Sequence, residues 1–208
     1  FMAGNGIRLT GQQNNFLKIL SKLKVPAVTG WNAHDLLPNN HASYCGKPGT
    51  VGDRPGNFAI RNSDLVVVLG CRLNIRQISY NWASFAPKAK VIMVDIDKYE
   101  LEKYTLKIYS KFHYDLKDFM IELETEISNW IPFKHHIEYL HWCRAMIKKY
   151  PVKAKYEESN HGLNPYAFFD TLYTHCKTSD TLVLGNGSAC VIGFQTAKIK
   201  KGLRVFSN

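Results

Sequence analysis

The chain has 208 residues, of which 45% are hydrophobic and 12% aromatic, and it carries a formal net charge of +10. That length allows one large domain, or one domain and part of a second, with enough apolar side chain for a sizeable core. No apolar run approaches the roughly eighteen residues a membrane span needs, and no signal-peptide pattern opens the chain, so no membrane partner is expected and the protein is read as cytoplasmic.

The five cysteines, Cys45, Cys71, Cys143, Cys176 and Cys190, are odd in number, far apart and without a CxxC pair. Such spacing predicts buried thiols in a reducing compartment. The basic excess gathers late, at 149–156 and 198–204. An anionic partner would suit that charge. No nucleic-acid fold motif accompanies it, so a nucleic-acid role is not expected.

In chain order, residues 1–11, FMAGNGIRLTG, place Gly4 and Gly6 directly after an apolar stub. Phe16, Leu17, Leu20 and Leu23 then share one face of a helix over 13–23. A strand, a glycine turn and a helix suit a phosphate, because glycine lets the backbone turn sharply and the helix N-terminus offers free N–H groups. Leu9 stands where GxGxxG has its third glycine, so a tight turn with no ligand is an equal alternative. Residues 25–30, VPAVTG, predict a second short strand. A long polar loop over 31–56 follows and is read as lining a site, with a plain surface excursion as the alternative; the four glycines of its segment GKPGTVGDRPGN would let the backbone approach a ligand closely.

Residues 63–97 hold two uninterrupted β-branched runs, 65–69 and 91–94, the pattern of strands buried on both faces. The interval between them leaves room for one crossover helix, which predicts parallel strands. Gly70-Cys71-Arg72 ends the first run and Asp95-Ile96-Asp97 the second. In an open parallel sheet those positions face a ligand. A helical turn at 99–103, a strand at 107–113 and a periodic helix opened by Asp115 follow. Asp115 is either its N-cap or a ligand contact.

A helix is predicted over 134–150 and a charged connector over 151–161. His135, His136, His141 and Cys143 do not share one helical face, and no metal site is expected there. Asn164-Pro165 predicts a helix start. Strand 181–185, turn Asn186-Gly187-Ser188, a small-residue helix at 189–198 and strand 203–206 come next. That strand–glycine–helix turn makes Gly187 and Ser188 a second candidate phosphate seat. The predicted fold class is α/β: a parallel, Rossmann-like sheet flanked by helices over 1–130, a linker with a helix over 131–162, and the beginning of a second α/β domain over 163–208.

The stretches GTVGDRPGNFAIRNSDLVVVLGCRL (49–73), KVIMVDID (90–97) and YDLKDF (114–119), in that order, resemble the middle domain of the thiamine diphosphate-dependent enzymes that include acetolactate synthase. The resemblance covers nearly the whole chain. It implies a piece of a longer, three-domain enzyme, with 163–208 opening the diphosphate-binding domain, and a fragment inactive alone. It further implies thiamine diphosphate and Mg2+ as cofactors, a 2-keto acid as substrate, and a homo-oligomer, dimer or tetramer. The family's middle domain holds FAD, ADP or nothing. By resemblance Gly4 and Gly6 stand near a nucleotide's diphosphate side, Arg72 against the cofactor, and Asp95, Asp97 and Asp115 at its ribose or adenine end, with Gly70 a further cofactor-binding candidate. Acetolactate synthases follow GxR with Phe and two acidic residues, whereas this chain has Leu73-Asn74-Ile75-Arg76-Gln77, so FAD, ADP and no ligand stay open. A non-catalytic module binding FAD, ADP or NAD is the alternative.

Overall fold

The computed structural model describes residues 1–152 and 162–207, so most of the predicted connector at 151–161 lies outside the described residues. Five parallel strands make the first sheet: β1 (Met2–Ala3), β2 (Val28–Thr29), β3 (Leu65–Leu69), β4 (Lys90–Asp95) and β5 (Ser110–His113). Their spatial order is β2-β1-β3-β4-β5. The chain therefore builds outward from β1 to one edge, then returns past β1 and continues to the other. That reversal lies between β1 and β3, which pair Met2 with Val68 and Ala3 with Leu69.

The alternation of side chains along the strands divides the interior in two. Met2, Val66, Val68, Val91 and Met93 face one core. There they meet Ala59 and Ile60 of α3 (Arg54–Arg61) and Leu140 and Cys143 of α7 (Lys134–Lys149). Ala3, Val67, Leu69 and Val94 face the other core. Its partners are Ile7 of α1 (Gly6–Leu9), Phe16, Ile19 and Leu20 of α2 (Gln13–Leu23), and Leu116 and Met120 of α6 (Leu116–Glu126). Helices on both faces of a parallel sheet are the doubly wound arrangement. The helix expected within the linker thus completes the first core, and Tyr139 of α7 donates its hydroxyl to Ala59 O at 2.7 Å.

Two expectations need correction. The interval between β3 and β4 holds no full crossover helix, only α4 (Ile75–Ile78) and a 3-10 turn at Trp82–Ser84. Ser79, with a positive φ of 61°, ends α4, and the extended backbone of Phe85 ends the 3-10 turn, so neither short helical piece propagates. The long loop is also shorter than predicted, because α3 begins at Arg54. Asp53 caps it by accepting Gly56 N at 2.7 Å, and Pro55 occupies its first turn.

The second unit comprises α8 (Pro165–His175), β6 (Thr181–Leu184), α9 (Ser188–Thr196) and β7 (Arg204–Ser207), with β6 and β7 parallel. Asn164 caps α8 by accepting Tyr166 N at 2.9 Å, as its Asn-Pro start predicts. Phe169, Tyr173, Leu184, Phe194 and Val205 form the core of this unit. All five cysteines are buried and free. Among the described residues no helix is long and apolar enough to cross a membrane.

Candidate functional site

The reversal of strand order leaves a crevice outside the carboxyl ends of β1 and β3, where parallel α/β sheets take their ligands. Its cavity measures about 460 Å³. Among the expected site residues, Gly4, Gly6, Gly70, Arg72, Asp95 and Asp115 line it. Asp97 does not, and Gly187 and Ser188 belong to the second unit. A smaller apolar cavity of about 140 Å³ lies toward the other end of the sheet, beside Ser63, Asp64 and Leu65.

The glycines are required by one another before any ligand is considered. A Cβ on Gly4 would lie 2.1 Å from Gly70 O, and one on Gly70 would lie 2.7 Å from the Cα of Gly6. Gly70 also has a φ of +53°. The N–H groups of Gly4 and Gly6 donate to Leu69 O (2.9 Å) and Gly70 O (3.1 Å). The two strand-end turns therefore interlock backbone to backbone, and this contact makes the floor of the crevice.

Charge is distributed around that floor. Arg72 lies on the rim with its side chain 74% exposed and donates from Nε to Glu100 Oε1 at 2.7 Å. The same buried glutamate takes Lys103, whose Nζ also donates to Arg72 O at 2.6 Å. The pairing with Glu100 raises the Arg72 pKa further above its ordinary value. Asp95 ends β4, and its Oδ1 accepts Asp97 N at 3.0 Å. Burial raises its carboxyl pKa, with Glu100 and Asp97 adding to the effect. Asp97 and Asp115 are first of all N-caps: Asp97 accepts Tyr99 N at 2.9 Å for α5 (Lys98–Leu101), and Asp115 accepts Lys117 N at 2.7 Å for α6. Each cap occupies Oδ1.

Sequence reasoning passed over Gln77 and Asn5, both of which line the crevice. Gln77 is only 6% exposed, and its Oε1 has no hydrogen-bond partner among the described residues. The buried Oδ1 of Asn5 is likewise without one. Unsatisfied buried acceptors are uncommon and mark places where a ligand or water supplies the donor. Trp31 lines the wall, held between the Arg76 guanidinium (5.0 Å) and the Phe194 ring (4.7 Å). Asn5 sits between the two glycines and Gln77 ends the run that follows GxR, so both lie beside the residues the sequence singled out. Cys71 also lines the crevice, but burial pushes its thiol up to about 11, so it is a neutral wall group and not a nucleophile. These groups suit binding and orientation rather than bond-making.

The second candidate seat is open to solvent. Gly187, at a φ of +62°, precedes α9, whose start has no side-chain cap, and nothing lies within 4 Å of a Cβ built on Gly185 or Gly187. The first N–H groups of α9 are thus free to meet an anion.

The long loop divides between the two seats. Trp31 and Asn32 reach the crevice and also touch the second unit, which the later residues of the loop grip as well. Lys47 Nζ donates to Phe194 O, Gln195 O and Ala197 O. Asp35, its side chain fully buried, takes Arg8 at 2.8 Å, Val205 N at 2.9 Å and the Arg204 guanidinium. Asn32 accepts Ser207 N at 3.0 Å.

Comparison with known proteins places these features in a family. The model of the thiamine pyrophosphate enzyme central domain matches residues 1–123. The chain is 34% identical over 102 residues to a probable acetolactate synthase large subunit of Methanococcus aeolicus, covering 49% of this chain and 17% of that relative. It is 29% identical over 165 residues to the acetolactate synthase large subunit of Lactococcus lactis, covering 79% of this chain and 27% of that one. Over 86 residues it is 36% identical to the acetolactate synthase isozyme 1 large subunit of Escherichia coli, covering 41% and 15%. The chain therefore spans only about a sixth to a quarter of the length of the curated relatives it matches.

Proposed function

This chain belongs to the thiamine pyrophosphate enzyme family through that family's central domain, and from this premise we propose that it serves an acetolactate synthase-like enzyme acting on a 2-keto acid. The observation that carries the reading is the family match over residues 1–123, whose strand reversal creates the crevice. A free-standing, non-catalytic nucleotide module is not favoured, because the relatives matched are acetolactate synthases.

In this reading the chain supplies the middle of a longer enzyme together with the opening of its diphosphate-binding part. Thiamine diphosphate, when bound with Mg2+, supplies the nucleophilic carbon that adds to the keto carbonyl and lets carbon dioxide leave. The free N–H groups after Gly187 and the open space beside Gly185 fit the diphosphate end of that cofactor. Gly187 and Ser188 would hold it there, neutralising its charge with the positive end of α9. The enzyme class is a lyase or transferase according to whether a proton or a second carbonyl takes the product.

The crevice takes an adenine nucleotide, ADP or FAD. The Asp95 and Asp115 carboxylates in its lining match ribose hydroxyls. Arg72 stands at the rim where phosphate charge would pass, and Asn5 Oδ1 and Gln77 Oε1 accept from ring N–H groups or hydroxyls. Leu73-Asn74-Ile75 stand where acetolactate synthases have Phe and two acidic residues, so FAD does not follow from the family alone and ADP is tested beside it.

The reading also implies a homo-oligomer, dimer or tetramer, working in the cytoplasm. The test is carbon dioxide release by the full-length protein from a series of 2-keto acids beginning with pyruvate. Release that requires both thiamine diphosphate and Mg2+ is expected. Release from none of them would contradict the reading.

A further inference from the structure

The C-terminal end of α9 is held by a residue of the other unit. Lys47 is 3% exposed, and its Nζ donates at 2.8 Å to Phe194 O, 3.1 Å to Gln195 O and 3.2 Å to Ala197 O. The last carbonyls of a helix have no partner within it, and they carry the negative end of its dipole. An ammonium has three donors, and here all three are spent on that end.

The lysine is itself held in place. Asp53, 8% exposed in the same loop, accepts Lys47 N at 3.0 Å, and its own N–H donates to Lys47 O at 2.7 Å. Neighbouring groups close the grip on α9. Asn39 Nδ2 donates to Ala197 O at 3.0 Å, and its Oδ1 accepts Ile199 N at 3.2 Å. Gln195 Nε2 returns the contact by donating to Val51 O at 2.9 Å.

A nine-residue helix is a rod about 14 Å long. Seizing its tail aims its head. The head of α9 is Gly187-Ser188, exposed and without a side-chain cap. Its direction therefore depends on packing along the rod and on the clamp at the far end.

We propose that Lys47 is a positioning residue, which fixes the tail of α9 so that the turn at Gly187-Ser188 is held where the diphosphate of the cofactor docks. The role rests on the reading of that turn given above. Lys47 touches neither turn nor crevice, so it acts only through the helix.

The experiment compares full-length wild-type protein with Lys47→Met, which keeps chain length and removes the charge. Asn39→Ala loosens the same helix end at a half-buried position, and it decides the matter if Lys47→Met does not fold. Hydrogen exchange of α9 amides and calorimetric titration with thiamine diphosphate in excess Mg2+ are measured for each. In Lys47→Met, exchange in α9 is expected to quicken at least tenfold, and the dissociation constant to rise at least tenfold, while exchange in β3 and β4 stays as in wild type. Asn39→Ala is expected to move both in the same direction by less. Faster exchange with unchanged affinity, or no change in either, overturns the positioning role alone. A wild-type protein that binds no thiamine diphosphate overturns the reading of the turn and the positioning role with it.

Discussion

Single residues at the crevice are constrained by their neighbours more than their types suggest. Gly4 and Gly6 invite a phosphate reading in the sequence, since a glycine pair after a strand is what a cradle needs. The coordinates show why they must be glycine whatever binds: each faces another backbone at a distance no Cβ survives. That fact depends on β3 lying beside β1, which no local pattern encodes. Gly4→Ala is accordingly expected to cost about 3 kcal/mol, read as a lowered midpoint in urea without added ligand. Arg72→Ala, by contrast, removes an exposed side chain whose buried partner Glu100 keeps Lys103, and should cost about 1 kcal/mol or less. His34 tests burial. It is 3% exposed beside Trp31 and Phe194, and its Nδ1 lies 3.1 Å from Thr29 Oγ1. Burial first, and the nearby Lys47 charge second, hold its pKa well below the ordinary 6.5. Below that value the unfolded chain takes up a proton that the folded one refuses. Stability is therefore full above about pH 6.5 and falls on acidification, by up to about 1.4 kcal/mol per pH unit. Asp53 and Asp95, whose pKa values are raised, act with the opposite sign, and from a window that begins near their ordinary 3.8. In melts between pH 7 and 5.5, His34→Gln should show a flatter pH dependence than wild type. An equal slope would place the proton elsewhere.

Among elements, the strands and capped helices were the most legible. The β-branched runs at 65–69 and 91–94, and the Asn164-Pro165 start, each carry their instruction within a few residues. The crossover between β3 and β4 was not legible, because space for a helix is not a reason for one. Its backbone is broken by left-handed turns at Ser79 and Ala86 that nothing in those residue types announces. Asp115 caps α6 by accepting Lys117 N through a single carboxylate oxygen while standing at the crevice edge. Asp115→Ala should therefore lose about 1 kcal/mol of stability in the absence of any nucleotide. Asp115→Asn should lose little, as measured by denaturant midpoints. Equal losses would mean that charge at the helix start, and not the cap, stabilises α6.

At the scale of the molecule, the long loop reads differently from its composition. A polar, glycine-rich stretch between two strands suggested a wall for one site. It walls the crevice at Trp31 and Asn32, and its Asn32, Asp35, Asn39 and Lys47 dock the second unit. Those contacts join residues more than a hundred positions apart, so no window along the chain could reveal them. Asp35 is the densest of them, binding Arg8 of α1 and Arg204 of β7 from full burial. Removing one member of such a buried group leaves the others uncompensated, and Asp35→Ala should cost about 3–5 kcal/mol, with loss of exchange protection in β7 before β3.

The crevice between β1 and β3 remains the feature on which the account turns. Calorimetric and thermal titration of the protein with ADP and FAD tests it most directly. Saturable binding is predicted, with ADP at a hundred times its dissociation constant adding about 2.7 kcal/mol of stability. For a chain of this size that is a rise of about 5–10 °C in Tm, and Arg72→Ala should weaken the response. No heat and no shift with either nucleotide would contradict it.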